Sequence, residues 1–215
     1  MFVGPRMKRD LVTVTPGTTL EEASRLLKAH RIHHLPVVEE GNRLAGIVTD
    51  TDLRNATLDE TIGGGDRGDS GRPVTVGGIM TRELVTLSPG DTLDDAMLVL
   101  SRQRIGALPV VEGDRLVGIV TKADILSALL STLAIEGLGV RIEVVLPREV
   151  KEVARLVAAL ADQDVQVRSL VLALHGADRY AAFVRVATID VASVRDRLRE
   201  KGFLVGELSD FYEAR

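Results

Sequence analysis

The sequence predicts an α/β chain, of the α+β kind, in three parts: two β-α-β-β-α repeats and then a β-α-β-β-α-β module. Three observations carry this. One stretch occurs twice, as Gly46–Asp52 (Gly-Ile-Val-Thr-Asp-Thr-Asp) and Gly118–Asp124 (Gly-Ile-Val-Thr-Lys-Ala-Asp). A polar, glycine-rich run, Gly63–Gly71, separates the copies. Beyond Gly137-Leu138-Gly139 the residue pattern changes and no third copy follows.

The copies extend well past the shared stretch. Met7–Pro16 matches Met80–Pro89, and Leu35-Pro36-Val37-Val38 matches Leu108-Pro109-Val110-Val111, each preceded by Arg-Ile. A match this long with one gap is duplication. In each copy a short apolar strand (Leu11–Val14, Leu84–Leu87) ends at a proline turn. A helix follows, with Thr18 and Glu21 at capping-box spacing, and Asp91 and Asp94 as an acidic version of it. Leu20, Ala23, Leu26 and Leu27 fall on one helical face, as do Leu93, Ala96, Val99 and Leu100. The Leu-Pro-Val-Val strand, a turn at Gly41-Asn42 or Gly113-Asp114, and the Gly-Ile-Val strand come next. Asp52 or Asp124 then opens a second helix. One such unit buries its sheet poorly, so the two should pack as a pair.

The copies end differently. The first runs through Asn55-Ala56-Thr57 into the glycine-rich run, read as a flexible linker. Gly63–Gly68 matches G-x-G-x-x-G, but without the strand and helix that make a dinucleotide fingerprint. The second continues as a helix through Ile125, Leu126, Leu129, Leu130 and Leu133 to about Glu136. That apolar surface needs a cover, either intrachain core or another subunit. Gly137 to Gly139 ends the helix. Strands are then expected at Val140–Leu146, Val165–Leu174, Tyr180–Ala187 and Phe203–Leu208. Helices are expected at Glu149–Leu160 and around Val191, Val194 and Leu198, a ferredoxin-like order. The expected parts are residues 1–60, a linker at 61–75, 76–136, and 140–208.

Composition narrows the function classes. The chain of 215 residues is 45% hydrophobic and 27% charged, enough to bury real cores. Aromatics are 3% and the net charge is −4, with no Lys/Arg block, which speaks against a nucleic-acid partner. There are no cysteines, so disulfides and thiolate metal sites are excluded, and a reducing cytoplasm is the expected location. No apolar run approaches a membrane span, and no signal-peptide core stands near Met1. His30 and His34 have i, i+4 spacing, but the helix should end near Arg31 and no acidic ligand stands beside them, so no metal is expected. No Ser/His/Asp constellation or useful carboxylate pair appears, and His175 lies in a turn, so no enzyme is expected.

The repeated stretch can hold a ligand. Its glycine lets another backbone or a ligand come close. Asp52 and Asp124 sit at or near a helix N-cap, where a carboxylate contributes about 1 kcal/mol as a cap. A carboxylate at this place can equally accept both hydroxyls of a ribose. The hydroxyl of Thr49 or Thr121 and the helix amides can hold a phosphate or ribose oxygen. No activated nucleophile accompanies them, which points to holding a nucleotide and not breaking it.

Through the Leu-Pro-Val-Val and Gly-Ile-Val-Thr-x-x-Asp elements the two repeats resemble cystathionine-β-synthase (CBS) domains, over about Val3 to Leu133 apart from the linker. The resemblance implies a pseudo-twofold pair, the Bateman module, with one cleft per repeat for a regulatory adenosine ligand: AMP, ADP, ATP or S-adenosylmethionine. It implies that Asp52 and Asp124 bind ribose beside Thr49 and Thr121. The backbone from Leu11 to Thr13 and from Leu84 to Thr86 would line adenine, with Ile32 and Ile105. His33 and His34 would approach phosphate in one cleft, Gly106 and Ala107 in the other, where Lys122 could supply charge. Protonation would strengthen the histidines below neutrality. The clefts should therefore differ in affinity or phosphate preference.

The third part resembles an ACT domain in element order. The glycine-containing loop of amino-acid-binding members is replaced by Leu146-Pro147-Arg148-Glu149, so dimerisation or docking is the expected use. The layout is similar to acetoin-utilisation accessory proteins of the AcuB type. Together these resemblances imply a homodimeric regulatory sensor. A ligand-free disc that docks a protein partner stays open beside it.

Overall fold

A computed structural model describes residues 1–62, 74–135, 137 and 139–206, the side chains of 58–62 excepted. The chain divides into two compact units, Met1–Leu126 and Ser127–Arg215.

In the first unit each repeat is a helix, a hairpin and a second helix. The first repeat has α1 (Leu20–His30), β1 (His34–Glu39), β2 (Arg43–Thr49) and α2 (Asp50–Ile62). A short α3 (Val76–Ile79), not anticipated, leads into the second repeat. There α4 (Leu93–Arg102), β3 (Ala107–Glu112), β4 (Arg115–Thr121) and α5 (Lys122–Thr132) repeat the order, with α5 crossing the unit boundary. The hairpins share one sheet in the order β1-β2-β4-β3, joined at Arg43 and Arg115. Gly41 and Asn42 turn the first hairpin at φ of 74° and 63°, and Gly113 the second at 66°.

The expected first strand of each repeat is a single parallel bridge, Val14 to Val37 and Leu87 to Val110. The reason is that each leader serves two partners. Lys8 bridges Ile119 in the other repeat before Val14 reaches its own, and likewise Thr81 bridges Ile47 before Leu87. The bridges also explain proline inside a strand. Val14 donates to the Pro36 carbonyl and Val38 donates back, so the missing proline N–H costs no ladder bond.

The N-caps of α1 and α4 are Thr19 and Thr92, one residue later than expected. Each side chain accepts from the amide three residues on, Glu22 or Asp95. The hydroxyl of Thr18 is instead taken by the Thr15 amide, and the carboxylate of Asp91 by the Ser88 amide. The helix after Asp52 also runs further than expected. It absorbs Asn55-Ala56-Thr57, the Thr57 hydroxyl donating to the Leu53 carbonyl. Gly63–Gly71, including the G-x-G-x-x-G match, lies outside the described residues.

α5 stops at Thr132 and not near Glu136. Ala134 takes the left-handed position (φ 52°) and Ile135 donates to the Leu130 carbonyl, a Schellman closure made without glycine. Of its apolar residues, Ile125 and Ala128 are buried while Leu126 and Leu129 are exposed.

The second unit carries β5 (Val140–Pro147), α6 (Val150–Ala161), β6 (Gln166–His175), β7 (Arg179–Ala187), α7 (Val191–Glu200) and β8 (Leu204–Val205). Its antiparallel order, β6-β7-β5-β8, is a split β-α-β arrangement. Alternate residues of β5 and β7 (Ile142, Val144, Leu146; Ala182, Val184, Val186) pack against Leu156 and Leu160 of α6 and Val194 and Leu198 of α7. The period-2 pattern of the strands meets the helical period on that one face. The last strand is shorter than expected, and residues from 207 onward lie outside the described part.

Candidate functional site

Asp52 is the third residue of α2, not its cap. Thr49 caps: its hydroxyl accepts from the Asp52 amide at 3.3 Å, while Asp52 Oδ2 accepts from the Thr49 amide at 2.8 Å and the Thr49 hydroxyl at 2.7 Å. This is a reciprocal capping box with aspartate in the glutamate place. Thr121 and Asp124 repeat it at 3.2, 2.9 and 2.6 Å. One carboxylate oxygen of each aspartate is thereby fixed. The other, Oδ1, stands beside a helix N-terminus, where the amides favour acceptors and anions.

The glycines ahead of the boxes admit backbone. A Cβ on Gly46 would lie 2.8 Å from the Thr81 carbonyl oxygen and from Met80 Sδ. On Gly118 it would lie 2.5 Å from Met7 Sδ and 3.1 Å from the Lys8 carbonyl. Each box therefore faces the leader of the other repeat.

That crossing places one lysine on a box. Lys8 Nζ is 3.3 Å from Asp124 Oδ1. At the matching place in the first repeat stands Thr81, and among the described residues no cation pairs with Asp52.

The repeats also meet through His34. A Cβ on Gly106 would come within 2.6 Å of its Nε2, so the imidazole needs a glycine opposite. His34 pairs with Thr49 and Ala107 with Thr121, so this contact brings the two box ends to the same end of the repeat pair. Burial, and then His33, hold the His34 pKa below its ordinary value, against the opposing pull of Asp50 and Asp52. His33 is exposed, its Nδ1 3.4 Å from Asp50 Oδ2, and Arg54 shares that carboxylate at 3.4 Å.

The other expected residues divide. Leu11 and Leu84 are half-buried and pack against the buried cluster of Ile47, Ala107 and Ile119. Thr13, Thr86 and Ile105 are half-buried, and Ile32 packs on the first core. Lys122 lines a concavity of about 310 Å³ with Met97, Leu100, Ser101, Arg104 and Ile125, a lining that contains none of Thr121, Asp124 and Lys8. α1 ends at His30, with Arg31 left-handed, so His30 and His34 do not share a helix. Lys8 and Asp50 were missed. Lys8 was legible as the one charge difference between the leaders beside the shared Met-x-Arg frame, but its address lies across the repeats.

With a duplicated hairpin-and-helix unit and two Thr–Asp boxes in hand, comparison with known proteins gives the class. The CBS domain matches residues 3–59 and 76–131, and the chain belongs to the CBS-domain family. A CBS domain-containing protein of Dictyostelium discoideum is 36% identical over 62% of this chain and 94% of its own length. An inosine-5'-monophosphate dehydrogenase of Korarchaeum cryptofilum is 37% identical, over only 22% of that enzyme. A crystal structure of an acetoin utilization protein (AcuB) of Vibrio cholerae superposes with a TM-score of 0.56 at 27% identity, covering 63% of this chain and 96% of that one. CBSX2 in complex with AMP gives 0.54 at 29%, over 60% and 96%. The CBS pair of protein MJ0100 with 5'-methylthioadenosine and S-adenosyl-L-methionine gives 0.51 at 29%, over 60% and 95%.

Proposed function

We propose that this chain is a non-catalytic sensor of an adenosine ligand, with AMP, ADP, ATP or S-adenosylmethionine held in the clefts of its CBS pair. The observation that carries this is the pair of Thr–Asp boxes, each binding its own threonine through one carboxylate oxygen, with the second oxygen unpaired by any cation among the described residues on Asp52 and held by the exposed Lys8 on Asp124. That oxygen can accept the two ribose hydroxyls, while the backbone at Leu11–Thr13 or Leu84–Thr86, with Ile32 or Ile105, lines the base. The relatives solved with AMP and with two sulfur-containing adenosines support the ligand class. Binding that prefers one packing of the repeats would bias the pair by about 1–3 kcal/mol, the usual scale of coupling between sites.

The second unit, an ACT-like domain at 140–208 on this reading, carries that bias to a surface for a second copy or a protein partner. Its place behind CBS repeats at 1–60 and 76–136 is similar in layout to the AcuB type and favours a role in acetoin utilisation. A second reading draws on the boxes themselves. All three bonds of each box are satisfied without ligand, as in a disc that only assembles.

Calorimetric titration of nucleotide-stripped protein with AMP, ADP, ATP and S-adenosylmethionine separates the two. Saturable binding, weakened at least tenfold in Asp52→Asn or Asp124→Asn with the fold intact, is the expected result. An asparagine oxygen keeps the cap but puts a donor against the ribose. Silence from all four compounds with folded protein hands the chain to the assembly reading.

A further inference from the structure

We propose, resting on the adenosine reading, that Lys8 sorts ligands between the clefts: it reserves the Asp124 cleft for phosphorylated adenosines and leaves the Asp52 cleft to adenosines without phosphate. The leaders cross, so each cleft takes one residue from the opposite repeat. Lys8 stands at Ile119 and Thr81 at Ile47, through the same pair of backbone hydrogen bonds. The hydrogen bonds within the two boxes match, and the ammonium at 3.3 Å from Asp124 Oδ1 is a difference at the carboxylate itself.

A ribose entering the second cleft must displace that ammonium. The Lys8 side chain is 58% exposed and that of Asp124 13%, so the lysine is the partner able to leave. Its flexible stem lets it turn from the carboxylate to a nearby anion. A 5'-phosphate supplies one, and the ion pair is exchanged, not lost. A neutral methylthio group supplies none. In the first cleft no cation among the described residues has to leave Asp52. Its neighbour Asp50 puts a second carboxylate there, paired with His33 and Arg54. His34, kept neutral by burial, offers a phosphate no charge. The phosphate preference is thus the reverse of the one the histidines suggest in the bare sequence.

The test uses the full chain carrying Asp52→Asn, which leaves the second cleft intact, titrated with AMP and with 5'-methylthioadenosine. These share adenosine and differ at the phosphate. AMP is expected to bind more tightly. Adding Lys8→Met should shrink the AMP to methylthioadenosine affinity ratio about twofold to fivefold, the scale of one exposed ion pair. Lys8→Arg should keep the ratio. An unchanged ratio in Lys8→Met, with both compounds still binding, overturns the sorting and leaves the adenosine reading standing. Failure of wild-type protein to bind any adenosine compound overturns both.

Discussion

The two clefts of the CBS pair are written in nearly the same residues and end in different electrostatic states. Both have a Thr–Asp box, a Gly-Ile-Val strand and a proline-bearing partner strand. The first has an aspartate free of cations among the described residues, two histidines and Asp50. The second has an aspartate engaged by Lys8, and Gly106 and Ala107 where the histidines would be. Duplication has kept what folds the unit, and part of the divergence, Lys8 and His34, lies at positions that look across to the other copy. The contacts of Lys8 and His34 therefore arise from the pairing and not from either repeat alone.

The largest expected difference between the halves is steric. Gly46→Ala drives a Cβ into the Thr81 carbonyl, main chain held by its own bridge to Ile47. Gly118→Ala meets chiefly a side chain, Met7, with Sδ at 2.5 Å and Cγ at 2.8 Å, while the Lys8 carbonyl lies further off at 3.1 Å. Urea denaturation should show a loss of about 2–3 kcal/mol for Gly46→Ala and about 1 kcal/mol for Gly118→Ala, within the range for overpacking. Equal losses would mean that the second leader is held as rigidly as the first.

A smaller effect sits where the repeats touch. Gly106→Ala pushes into the His34 ring and should cost about 1–2 kcal/mol. Trimming the ring in His34→Ala should recover most of that in the double variant, because residues in contact couple. Additive losses would show that the alanine is resisted by something other than the ring.

How far these features could be read from the sequence follows from their range. The duplication, the helix faces and the alternation in β5 and β7 are local periodicities, and they were legible. The box residues Thr49, Asp52, Thr121 and Asp124 were legible as a motif, though their order was not. Threonine as cap and aspartate three residues on look the same in a string as an aspartate cap. Consecutive candidates also hid the caps of α1 and α4. Both Thr18 and Thr19 have a glutamate three residues later, and only the turn to Thr15 decides between them. Lys8 on Asp124 and His34 against Gly106 were out of reach, since no pattern within a repeat says which residues of the other copy it will face.

The finest comparison is of protons, because His34 has no titratable counterpart at Ala107. Its folded pKa is lowered, first by burial and then by His33, with Asp50 and Asp52 pulling the other way. The unfolded chain, titrating near 6.5, therefore binds the proton more readily than the folded one. Stability attributable to His34 is fully present above about pH 6.5 and is lost as the pH falls toward and through the lowered folded value. Protonation there would place a cation against the Gly106 backbone and beside His33, with only Asp50 and Asp52 to answer it. Urea midpoints from pH 7.5 down to pH 5 should decline for the wild type and decline less for His34→Ala. His33→Ala removes a neighbouring positive charge and should soften the decline in part. Identical slopes for wild type and His34→Ala would place the acid sensitivity of this unit elsewhere, and His34 would then be a spacer between the clefts and not a titrating group.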